Sequence, residues 1–182
     1  MKKTMALILA VLFVATSFSG CGTPPNFGFT IEEFGQMLQQ RIDETDYRST
    51  LQVDWKLSTS EKFGTSWHGN AGSDIAFVID CANGETGPVT SISLQQDYRK
   101  HEHWTLKVSH VTEEFRFLVE QVYEICNPQC TEEEKKAFKD AIFVAMSRVP
   151  DEIGTKHDEN DIRYAFRDNE KFDYISFSVD FK

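Results

Sequence analysis

Three residues near the middle of the chain, His101-Glu102-His103, could do chemistry at their spacing. On an extended strand, alternation places the two imidazoles on one side, where they could act as two ligands of one metal ion. A third ligand would have to come from another part of the fold, with His68, His110 and Asp97 as candidates. The run around them, Asp97-Tyr-Arg-Lys-His-Glu-His103, reads more simply as a solvated, charged hairpin tip. Nucleophilic catalysis has less support. It needs an activated Ser or Cys beside a base and a group that orients the base. No serine sits in a nucleophile-elbow pattern, and Cys81 falls on an apolar strand face, where a thiol is usually inert.

Acidic residues are too numerous to single out a pair for glycoside chemistry without geometry. Glu132, Glu133 and Glu134 are explained by a helix macrodipole, which favours acids in a first turn. Gly69-Asn-Ala-Gly72 and Gly84-Glu-Thr-Gly87 lack the lysine and following helix of a phosphate loop and read as hairpin turns. The acids between Asp151 and Asp161 lack the ligand spacing of a calcium loop, so this polar run is expected to be a solvated loop. Trp55, Trp67 and Trp104 fall on expected strands. Pointing inward they are core; two pointing outward would make an aromatic binding face, since indoles are enriched at contacts.

Cys126-Asn-Pro-Gln-Cys130 joins the end of one expected helix to the start of the next. A turn that tight can bring two Cα atoms within disulfide range, so a Cys126–Cys130 bond is the expected pairing. Cys81 reads as a small buried hydrophobe. A structural zinc site needs about four ligands, and these spacings supply no second pair.

The elements that position these residues follow from periodicity. Phe29-Thr-Ile-Glu-Glu-Phe34 is a helix start with Thr30 as cap, Glu33 completing a capping box and Phe29 stapled to Phe34. A helix is expected over 31–45. Alternation then predicts a strand through Leu51, Val53, Trp55 and Leu57, and a partner through Phe63, Thr65 and Trp67. Ile75, Phe77, Ile79 and Cys81 follow, with Ala76 and Val78 suggesting burial on both faces. A strand with Val89, Ser91 and Ser93 opposing Ile92 and Leu94 comes next, then a fifth through Trp104, Leu106 and Val108. Helical spacing returns from Val111 to Cys126 and from Thr131 to Val149. Ile162, Tyr164 and Phe166 then alternate, and after a turn at Asp168-Asn-Glu-Lys171 the residues Ile175, Phe177, Val179 and Phe181 give a closing strand. This order implies an α+β domain, a mostly antiparallel sheet of six to seven strands packed against three helices. Such a core needs no cofactor to account for its stability.

Composition narrows function. The chain has 182 residues with 19 Lys+Arg and 29 Asp+Glu, a net charge of −10. Its 15 Phe and 3 Trp are too much apolar surface for a disordered chain. The acidity leaves no cationic footprint for nucleic acid. A run without charge, Met5 to Phe18, follows Lys2 and Lys3 and is too short for a comfortable transmembrane helix. It fits the hydrophobic region of an export signal.

The run ends in Phe18-Ser19-Gly20-Cys21, which resembles the lipobox of bacterial lipoprotein precursors. The resemblance covers the first 21 residues. It implies cleavage before Cys21, acylation of the Cys21 thiol and anchorage in a bacterial cell membrane or outer membrane, with the domain outside the cytoplasm. Two or three acyl chains anchor stably, at about 0.8 kcal/mol per buried methylene. Gly22 is not the residue that class associates with inner-membrane retention. The expected organisation is a signal peptide over 1–20, a lipidated N-terminus and short tether over 21–28, and one domain over 29–182. Loss of 1–20 removes two cations and no acid, which takes the charge from −10 to −12.

These features imply a non-enzymatic binding domain on a lipid tether. Its acidity favours a cationic protein or peptide partner, for example as an inhibitor or immunity protein. A carrier of hydrophobic small ligands and an envelope hydrolase or metal-binding protein using His101 and His103 are the alternative expectations.

Overall fold

The computed structural model describes residues 24–61, 64–97, 111–149, 154–169 and 173–182. His101, His103, His110, the expected strand through Trp104 and the segment with Cys21 lie outside them. In chain order the elements are α1 (Ile31–Asp43), a 3₁₀ turn (Asp46–Ser49), β1 (Val53–Ser60), β2 (Gly64–Ala71), β3 (Ile75–Cys81), β4 (Val89–Asp97), α2 (Glu113–Cys126), α3 (Glu132–Met146), β5 (Gly154–Glu159), β6 (Ile162–Asn169) and β7 (Tyr174–Phe181). The seven strands form one antiparallel sheet in the order β1-β2-β3-β4-β7-β6-β5. Two meanders thus meet back to back at β4 and β7. The fold is α+β, as the helix and strand patterns implied. Among the described residues, no helix is long and apolar enough to cross a membrane.

Register explains the core. One row across the sheet reads Trp55, Gly69, Phe77, Leu94, Phe177, Phe166 and Thr155. The next same-facing row reads Leu57, Trp67, Ile79, Ile92, Val179, Tyr164 and His157. All three helices pack on this side: α1 through Phe34 on Phe77, α2 through Tyr123 on Tyr164, and α3 through Phe138 on Phe177. Each fully buried Phe or Leu here contributes about 1.5–3 kcal/mol before entropy is counted. The helix starts follow local chemistry. Thr30 with Glu33 and Thr131 with Glu134 form complete capping boxes, and the Phe29 and Phe34 rings stack at 5.9 Å.

Four expectations need correction. The polar run after Asp151 contains β5, because Thr155, His157 and Glu159 face the helices in place of apolar residues. Gly69, Asn70 and Ala71 belong to β2, and the turn begins at Gly72, whose φ is +71°. β3 buries Ile75, Phe77 and Ile79 fully, but Ala76 and Val78 only half. Val89 lies on the buried side with Ile92, because the register shifts at Asp80/Cys81 and leaves Thr90 as an extra residue on β4.

One ion-pair cluster ties the helices together. Glu124 on α2 accepts from Arg41 of α1 at 2.7 Å and sits 3.0 Å from Lys135 of α3. Burial raises the Glu124 carboxyl, but the hydrogen bonds from Arg41 and Lys135 outweigh it, so the group lies below its ordinary value. A lowered carboxyl contributes stability above its unfolded value and loses it as pH falls. Acid titration of the melting temperature should therefore show stability falling below the ordinary Glu range. The fall should be smaller in Glu124→Gln, which starts about 0.5–1 kcal/mol less stable near neutrality. Identical acid slopes in the two proteins would contradict this.

Candidate aromatic groove

The first signal is β1 itself. Its alternation turns Val53, Trp55 and Leu57 toward the helices, with Trp67 opposite Leu57 on β2. Trp55 is held edge-on by Phe34 at 5.9 Å and lies 5.5 Å from Phe77. Two glycines make its seat. Gly69 lies directly across from it on β2, where a Cβ would fall 2.7 Å from two ring carbons. Gly35 on α1 lies against the indole nitrogen, where a Cβ would fall at 3.1 Å. Trp67 is fixed differently: its Nε1–H donates to the Glu85 carbonyl at 3.0 Å.

α1 does not reach over the whole width of β1 and β2. The uncovered strip is a groove of about 310 Å³, floored by Val53, Trp55 and Trp67 and walled by Ile31, Glu32, Gly35, Gln36 and Gln39. Both indoles are half-buried. The groove offers aromatic faces, two side-chain amides and one carboxylate. That set suits a cationic group with an apolar stem, which gains from the indole quadrupole and from Glu32. The structure thus brings two of the three tryptophans together on the helix side of the sheet; Trp104 lies outside the described residues.

The remaining candidates are not assembled with it. His68 lies on the opposite, exposed sheet face, beside the Ser66 hydroxyl at 3.2 Å. Among the described residues, no three of His, Cys, Asp and Glu are placed to hold a metal. Cys81 is a buried free thiol, pushed up by burial and then by Asp80 and Glu32. The expected Cys126–Cys130 bond is not formed, and both residues are free thiols. Cys126 ends α2 buried in the core, whereas Cys130 lies half-exposed between α2 and α3.

A second cluster went unseen in the sequence because β5 did. The Tyr123 hydroxyl donates to Glu159 Oε2 at 2.8 Å, and His157 Nε2 lies 3.2 Å from the same oxygen. Asn127 Nδ2 donates to the Tyr164 hydroxyl. Burial holds both phenols well above their ordinary range, with Glu159 adding to it, so both stay protonated. Cys130 borders this cluster in a cleft of about 340 Å³. Its thiol is raised by burial and by Glu124, Glu159 and Glu134, against the pull of Lys135. A thiol among carboxylates is a poor nucleophile, so the cluster reads as a satisfied polar network that pins β5 to α2. No known family, curated protein or solved structure matches the chain.

Proposed function

We propose that this chain is a lipid-anchored, non-enzymatic binding protein of the bacterial cell envelope, whose groove beside α1 receives a cationic side chain of a protein or peptide partner. The observation that carries the reading is the pairing of Trp55 and Trp67, half-exposed in one groove, with Glu32 on its wall. The acidity of the chain and the lipobox-like Phe18-Ser19-Gly20-Cys21 support it. A role as inhibitor or immunity protein against a basic toxin or muramidase fits the same chemistry.

The test has two arms. Titration calorimetry with short Lys- and Arg-bearing peptides and with a basic muramidase should show binding that weakens with salt. Trp67→Ala and Glu32→Gln should each lower affinity about three- to thirtyfold, the range of one cation–π contact. Affinity unchanged in both variants, or insensitive to salt, overturns the groove reading. In the host, Cys21→Ala should move the protein from the membrane fraction to the soluble fraction. Retention in the membrane overturns the anchor.

A further inference from the structure

The two edges of the sheet are not alike. β5 is six residues long, carries His157 and Glu159 on its helix side and is covered there by Phe138 of α3. β1 is eight residues long, about 27 Å of extended chain, and among the described residues it pairs only with β2. It has no proline and no bulge, and its helix-side residues Val53, Trp55, Leu57 and Thr59 are uncharged. An edge without these protections is a template for another strand. Leu57, 37 % exposed, is one of two large hydrophobics left open among the described residues.

We propose that β1 pairs with β1 of a second copy of this chain, antiparallel and centred on Trp55, so that one sheet runs through both copies across a two-fold axis. The sequence of β1 is self-complementary in that register. Val53 faces the partner's Leu57 and covers it. Asp54 faces the partner's Lys56, and the symmetry makes each pair twice. Trp55 faces its own copy. Centring on Asp54 or on Lys56 instead sets like charges opposite each other, and centring on Leu57 sets both charged residues against serines. Charge complementarity therefore selects one register of the four. Asp54 and Lys56 lie on the open face of the sheet at 72 % side-chain exposure, where they pair with each other at 2.9 Å, an exposed pair that the second copy would exchange for two pairs across the edge. Directly opposed charges are the stabilising unit of such a pairing, and like charges there oppose it.

Sedimentation velocity of the purified protein, across a concentration series, tests this. The expected result is a species of twice the monomer mass that dissociates on dilution. Asp54→Lys and Lys56→Asp should each weaken it about tenfold or more, since each sets two like pairs across the axis. Asp54→Lys combined with Lys56→Asp should restore it. Both residues are exposed, so far-UV circular dichroism should be unchanged in every variant. A monomer at the highest soluble concentration overturns the proposal. So does a dimer that survives the single reversals, a double variant that stays monomeric, or an edge that pairs only with another protein.

Discussion

Phe138→Ala is expected to cost about 3–5 kcal/mol of stability, the range for deleting a large aromatic side chain from a packed core. Phe138 is fully buried and is the hub of the second meander. Its ring stacks on Tyr123 of α2 at 4.0 Å and lies 5.5 Å from Tyr164 of β6 and 6.1 Å from Phe177 of β7. His157 of β5 lies 5.9 Å away on another side. One deletion therefore loosens four elements at once, and the surrounding rings are too rigid to close the hole. A domain of ordinary stability has about 5–15 kcal/mol in total, so the variant should unfold at much lower urea. Near-UV circular dichroism should show looser tyrosines, because Tyr123 loses its stacking partner while keeping its bond to Glu159. A loss below about 1 kcal/mol would show that the site collapses, and that the ring stack is not what holds α3 to the sheet.

Gly69→Ala should cost about 1–3 kcal/mol, although it adds one methyl group. The methyl would lie 2.7 Å from two ring carbons of Trp55 and from a methyl of Val53, all side chains of the neighbouring strand. The indole can retreat only toward the groove. Phe34 and Phe77 brace it from the core and Gly35 meets it from above. The ring must tip into the groove, which should shift its fluorescence and weaken the proposed cation binding together. Gly69→Ala combined with Trp55→Phe makes the reading specific. The smaller ring should recover part of the lost stability, giving a coupling of the size seen between residues in contact. Purely additive losses would place the strain in the β2 backbone instead.

The two residues also show where sequence reading ends. Trp55 was visible as a strand aromatic, but its seat is made by Gly69 across the sheet and Gly35 on α1. Neither pairing is encoded locally, and Gly69-Asn-Ala-Gly72 has the composition of a turn. A lone glycine inside a strand often marks a close approach of this kind, which was the available signal. Elements whose information is local were legible: the capping boxes at Thr30 and Thr131, the Phe29–Phe34 staple, and the alternation of β3 and β7. β5 was not, because period-two reading looks for apolar residues and its inward positions are Thr155, His157 and Glu159. Their partners, Tyr123 and Phe138, lie on helices well upstream. Cys126 and Cys130 had a suitable spacing, but spacing does not say that one thiol faces the core and the other the rim.

The strap ahead of α1 has a mechanical meaning. Phe27 donates its amide to the Val89 carbonyl, Val89 donates back to Phe29, and the Phe27 ring meets Phe181 at 4.6 Å. The segment just ahead of α1 thus meets the sheet at β4 and β7, adjacent interior strands, and not at a border. A pull transmitted along that leading segment is delivered to the seam between the two meanders. It would load this interior seam first, ahead of β1 and β5, which lie three and two strands away at either flank.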